Sequence, residues 1–201
     1  NSLPFAKWTC YDAGVHSACI VRWPGVIKPG SVSDALVEYV DIVPTFVDIA
    51  GGKPLAKVDG ESFKPVLTGK KKAHKEYSFS LQTTRGINAG SPYYGIRSVY
   101  DGRYRYIVNL TPEATFQNVE TKSPLFKKWK SLAETDSHAK AMTIKYQHRP
   151  AIELYDVKND PYCMKNLAED AKQASTISRL DKELKRWMKD CGDEGQPTEM
   201  R

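Results

Sequence analysis

Residues 18–21 form a continuous apolar run, Ala18-Cys19-Ile20-Val21. It closes at Arg22-Trp23-Pro24-Gly25, where proline removes a ladder donor and glycine permits a turn. The run does not alternate, so it predicts a buried strand covered on both faces, as in a parallel sheet. Such a strand needs neighbours, which the rest of the sequence hardly supplies. Between Gly30 and Gly69 the pattern is helical and loop-like. Asp41 is placed to cap a helix with Pro44 in its first turn, Val43, Phe46, Val47 and Ala50 on one face, and Gly51-Gly52 at its end. After Asp59-Gly60 a short second helix runs through Phe63, Val66 and Leu67. Composition shifts at about Lys70 to Glu76, which marks a boundary and gives expected domains of 1–72 and 73–201.

Beyond that boundary, Tyr77-Ser78-Phe79-Ser80-Leu81 alternates as a half-buried strand. Tyr94 to Tyr100 and Arg103 to Leu110 flank Asp101-Gly102, the signature of a two-residue type I′ hairpin turn. Ile152 to Val157 reads as a further strand, for an antiparallel sheet of about four strands. Ser123 caps a helix with Pro124 at its first position and Phe126, Trp129 and Leu132 inward, and a second helix covers roughly Ser137 to Tyr146. The last helix, about Ser175 to Cys191, carries Ile177, Leu180, Leu184, Trp187, Met188 and Cys191 on one face. That stripe covers the sheet rather than a cofactor. The tail from Gly192 to Arg201 is expected to fray.

With 201 residues, one domain or one plus a small appendage is expected. Hydrophobic residues at 40% and charged residues at 27% are ordinary for a globular chain. No apolar run approaches a membrane span and no signal peptide is visible. The net charge of +6 suits an anionic polymer or simply a solvated surface. The basic residues are scattered apart from Lys70-Lys71-Lys72 and Lys127-Lys128, and no basic stripe interleaved with aromatics points to nucleic acid. Cys10, Cys19, Cys163 and Cys191 show no metal spacing, and no disulfide pairing follows from sequence. Asn109-Leu110-Thr111 is formally a glycosylation sequon, read here as a strand end.

A family resemblance rests on several stretches in order. They are Lys7-Trp8-Thr9-Cys10-Tyr11-Asp12-Ala13-Gly14, Ile20-Val21-Arg22-Trp23-Pro24-Gly25, Val32 to Val37, Val40 to Gly51 and Asp59-Gly60-Glu61-Ser62. Gly95-Ile96-Arg97-Ser98-Val99, Tyr104-Arg105-Tyr106-Ile107 and Glu153-Leu154-Tyr155-Asp156 complete the set. Their order and spacing resemble the second half of the type I, formylglycine-dependent sulfatases, in the heparan N-sulfatase (N-sulfoglucosamine sulfohydrolase) branch. The resemblance implies an α/β, alkaline-phosphatase-like sulfatase fold. Its C-terminal part would be a remnant of the large parallel sheet followed by a small four-stranded antiparallel sheet under a C-terminal helix. The sequence opens at Asn1, mid-motif and without an initiator Met, and is therefore expected to belong to a longer polypeptide.

Sulfate ester hydrolysis requires neutralising the ester oxygens while a nucleophile attacks sulfur. The sulfatase nucleophile is a formylglycine made from Cys-x-Pro/Ala-x-Arg, and none of the four cysteines has that context. The paired aspartates of the calcium site are likewise not found. By resemblance, Lys7 matches the catalytic lysine that contacts the substrate sulfate, a task suited to an ammonium point charge. Taken alone, it reads as an exposed loop lysine. Asn1 matches an Asn that supplies a carbonyl oxygen to Ca2+. Ser2 stands where the family usually has Gly, and the spacer to Lys7 is slightly short.

Arg85 and Thr84 lie in the loop Gln82-Thr83-Thr84-Arg85-Gly86, which resembles a substrate-facing segment, and Arg85 suits a bidentate contact with sulfate or carboxylate. A surface loop arginine is an equal reading. His16 precedes the apolar run, as a substrate neighbour or a structural histidine, and Asp12 reads as a structural acceptor. The expected whole is an exported (periplasmic, secreted or lysosomal) sulfuric-ester hydrolase of sulfated glycans or aryl sulfates. Calcium and nucleophile would come from the missing N-terminal half of the same polypeptide, and the 201-residue piece alone would be inactive. The alternatives are a phosphate- or phosphonate-ester hydrolase of the same superfamily and a non-catalytic glycan-binding or structural module.

Overall fold

The computed structural model describes residues 3–54, 56–86 and 90–201. Helices α1 (Asp12–Val15), α2 (Ile42–Ile49) and α3 (Lys64–Leu67) precede strands β1 (Ser78–Gln82), β2 (Ile96–Tyr100) and β3 (Tyr104–Asn109). Helices α4 (Pro124–Leu132) and α5 (Ser137–Gln147) follow, then β4 (Ile152–Asp156), α6 (Ala174–Asp190) and α7 (Gln196–Met200). The chain divides into two compact units: residues through Ser17 group with Phe79–Arg201, and Ala18–Ser78 forms the other.

In the larger unit the strands follow the order β1-β2-β3-β4, and β2, β3 and β4 are antiparallel. Tyr100 pairs with Arg105 and the Asp101 amide donates to the Tyr104 carbonyl at 3.2 Å. The turn is therefore centred on Gly102-Arg103, one residue later than expected. Gly102, at φ +90°, takes the first central position, which a type II′ turn reserves for glycine. The Asp101 carboxylate fixes this register by accepting from the amides of Arg103 and Tyr104, at 2.9 and 2.7 Å.

Both faces of the sheet are covered. One carries Arg97, Val99, Tyr106 and Leu154 beneath α6, whose Leu180 and Leu184 are buried as the apolar stripe requires. The other carries Ile96, Ile107 and Tyr155 against Tyr11, Tyr94, Phe116, Phe126 and Tyr146. Ser123 caps α4 by accepting from the Phe126 amide, as the sequence predicts, and Asp136 does the same for α5. The tail does not fray. Residues 193–201 fold back, with α7 carrying Glu199 onto the buried Arg97 guanidinium at 2.8 Å, while Asp193 binds the same group. Asn109 ends β3 buried, its amide donating to the Pro150 carbonyl and to Glu153.

In the Ala18–Ser78 unit, Asp41 sits at the start of α2 but does not cap it through its side chain. Its carboxylate accepts instead from the amides of Glu38 and Glu61 and pairs with Lys75 at 2.8 Å. Burial alone would raise the Asp41 pKa, yet Lys75 and those amides outweigh it and hold the carboxyl below its usual range. Thr45 is the buried residue of α2, accepting from the Phe63 amide. The expected apolar face is open: Phe46 is 65% exposed, and Val43 is also exposed. Residues 16–23 form no strand and Ile20 is 92% exposed. The reason is physical: a buried strand exists only with ladder partners, and among the described residues of this unit none pairs with that run.

Candidate functional site

The segment 5–16 lies on the aromatic face of the sheet, and its shape follows from a few residues. Phe5 and Trp8 both have left-handed backbones, at φ +62° and +64°. Bulky side chains avoid this region at a cost of ~1–3 kcal/mol each, so surrounding contacts must hold them. Those contacts are present. The Phe5 ring packs on Tyr11 and Tyr146 at 5.5 and 5.0 Å, and Thr9 Oγ1 donates to the Ala6 carbonyl at 2.9 Å. Gly14 closes the segment, because a Cβ there would stand 2.3 Å from the Ala6 carbonyl oxygen and 2.6 Å from that of Thr9. Any larger residue would push α1 off the segment.

Lys7 sits between the two strained aromatics, half-buried, with Nζ 5.8 Å from the Trp8 ring centroid. Among the described residues its ammonium has no carboxylate partner, which leaves a positioned cation free for an external anion. Beneath it a buried polar network ties the segment to the sheet. The Tyr11 hydroxyl donates to Glu153 Oε2 at 2.9 Å, Tyr155 donates to the same oxygen at 2.5 Å, and Asn109 Nδ2 donates to Oε1 at 2.8 Å. Asp12 Oδ1 accepts from Arg105 at 2.8 Å. Arg149, fully enclosed, stacks 3.8 Å from the Phe116 centroid and over Tyr11 and Tyr146.

Burial raises the phenols of Tyr11 and Tyr155 far above their usual range, with Glu153 adding to the rise, so both remain donors. Burial also pushes the Cys10 and Cys163 thiols up to about 11, and neither is a thiolate at neutral pH.

The other residues singled out from sequence lie as follows. Thr84 is buried; its hydroxyl donates to the Ser91 carbonyl and accepts from the Tyr94 amide at 2.9 Å, which commits it to the loop's own fold. Arg85 is exposed and donates to the Arg201 carbonyl at 2.9 Å. His16 is exposed at the end of the same segment, with Nδ1 3.1 Å from Asp12 Oδ2. Asn1 lies outside the described residues. No group of three or more His, Cys, Asp or Glu able to hold a metal occurs among the described residues. Sequence reasoning missed the supporting set of Arg105, Arg149 and Glu153. The one available signal was a charged residue standing inside an apolar strand, as Arg105 and Glu153 do.

Residues 4–123 match the family model described as N-sulphoglucosamine sulphohydrolase, C-terminal. An ulvan-active sulfatase of Formosa agariphila is 36% identical over 187 residues, spanning 93% of this chain and 36% of that protein. A solved structure in complex with its substrate D-glucosamine-2-N,6-O-disulfate superposes with a TM-score of 0.61 at 21% identity, over 88% of this chain and 29% of that one. A 2-O GAG sulfatase does so with a TM-score of 0.50 at 24% identity, over 77% and 25%. These likenesses show the fold. The chain spans about a third of the length of the curated relatives it matches.

Proposed function

This chain belongs to the N-sulphoglucosamine sulphohydrolase C-terminal family, and from that premise we propose that it is the C-terminal part of a sulfuric-ester hydrolase acting on sulfated glycans. The observation that carries this reading is Lys7: a half-buried ammonium without an acidic partner among the described residues, held between two left-handed aromatic residues. Such a cation binds a sulfate oxygen and gains strength as charge shifts onto the ester oxygens during S–O cleavage. Strain at Phe5 and Trp8 is the cost of fixing it there. The Glu153 and Arg105 contacts make the platform rigid, so little reorganisation accompanies the reaction.

The nucleophile and the calcium ligands belong, in this reading, to the remainder of the polypeptide. Calcium, when bound, neutralises sulfate oxygens as a Lewis acid. The number of large apolar side chains left open in the Ala18–Ser78 unit, Ile20, Val32, Tyr39, Val43 and Phe46, supports the same partner, since residues of this kind are ordinarily covered. The test is an assay of aryl sulfate hydrolysis in calcium buffer. The intact polypeptide is expected to turn over and the 201-residue chain alone to show none. Turnover by the chain alone, or a preference of the intact protein for aryl phosphate, overturns the reading.

A further inference from the structure

We propose that α4, with the flanking Lys122 and the Lys140 of its neighbour α5, is a binding surface for the polymeric part of an acidic, sulfated glycan, separate from the Lys7 segment. The proposal rests on the sulfated-glycan reading above and adds a second contact for the same class of molecule. Residues 122–147 contain six lysines against two carboxylates, Glu134 and Asp136, a local net charge of +4. Helix α4 turns Phe126 into the core and half-buries Trp129, so Lys127, Lys128 and Lys130 are left on its exposed side. Lys122 and Lys140 are exposed as well, and α4 packs against α5. None of these five ammonium groups has an ion-pair partner among the described residues.

The contrast with α6 sets this surface apart from ordinary solvation. There Lys185 pairs with Asp181 at 2.6 Å, and Arg186 pairs with Glu183 at 2.9 Å and with Asp190 at 3.4 Å. That helix neutralises two of its cations, Lys185 and Arg186, at the favourable spacings of three and four residues. Helix α4 has no acid within its length, and Lys127 and Lys130 stand as like charges three apart, about 4.5 Å along the axis. A helix selected for stability alone gains from acids at such positions. Leaving them unpaired costs a little stability and produces a fixed row of cations, which complements a polymer bearing repeated anionic groups. Each lysine that meets a polyanion releases counterions, so binding must weaken steeply with salt.

The experiment measures dextran sulfate affinity of the protein against NaCl concentration, for wild type and two triple variants of equal charge change. These are Lys127→Gln/Lys128→Gln/Lys130→Gln and, on the other unit, Lys70→Gln/Lys71→Gln/Lys72→Gln. The α4 variant is expected to lose at least tenfold in affinity, with a log–log salt slope shallower by about three. The control variant is expected to change less than threefold, and circular dichroism should show all three folded alike. Equal losses in both variants, no loss in the α4 variant, or equally tight binding of a single-stranded DNA oligonucleotide overturns the proposal. Aryl sulfate turnover by the intact polypeptide is scored in parallel. Its persistence alongside an unchanged α4 variant would sink this surface while leaving the proposed function standing.

Discussion

Replacing Glu153 by alanine tests the platform under Lys7 most severely. The side chain is 1% exposed and accepts from Tyr11, Tyr155 and Asn109. Truncation leaves the buried Tyr11 and Tyr155 hydroxyls without an acceptor, each worth ~1–3 kcal/mol, while the Asn109 amide loses one of its two acceptors and keeps the Pro150 carbonyl. It also removes a negative charge that acts on the enclosed Arg149, and an uncompensated buried charge is strongly destabilising. These losses share partners and do not add, and a water entering the space recovers part, so ~4 kcal/mol is the working figure. For a chain of this size that is a fall in Tm of ~8–16 °C. Thermal unfolding of Glu153→Ala and Glu153→Gln, followed by circular dichroism, is the assay. Gln keeps one acceptor and should lose less than half as much. A fall below about 3 °C for Glu153→Ala would refute the claim that this carboxylate organises the face.

Gly14→Ala should cost ~1–3 kcal/mol by overpacking, because its Cβ meets the Ala6 and Thr9 carbonyls, and an unchanged Tm would show that the segment yields freely. Burial would raise the Asp193 pKa, but the Arg97 guanidinium and the Gly195 amide outweigh it and hold the carboxyl below the usual value. Its folded pKa is therefore the lower one, so its stabilisation is present above about pH 4 and lost as pH falls through the folded value. Asp193→Asn should be less stable at pH 7 and lose less between pH 4 and 2; Tm curves that run parallel to wild type in that range would contradict this.

Much of the scaffold was legible because its signals are local. Ser123 with Pro124 sets the start of α4 wherever the helix packs, and the Leu180/Leu184 stripe of α6 shows in periodicity alone. What failed depends on residues distant in sequence. Asp101 reads as a turn residue, but its contacts to the Arg103 and Tyr104 amides shift the turn to Gly102-Arg103. Arg97, 96 residues before Asp193, gives no hint in sequence that it anchors the C-terminal tail. The apolar run 18–21 misled for a different reason: its pattern encodes neighbours that are absent among the described residues of this unit. At the candidate site, Lys7 was singled out through the motif around it. Glu153 and Arg149 were not, because charged residues carry a strong expectation of the surface.

The most direct measurement is kcat/KM for sulfate ester hydrolysis by the intact polypeptide carrying Lys7→Ala. A lost sulfate contact predicts a fall of ~100-fold or more with Tm unchanged, and Lys7→Arg, which keeps the charge, recovering part of it. A Lys7→Ala protein within threefold of wild type would contradict the assignment of this segment to the sulfate site.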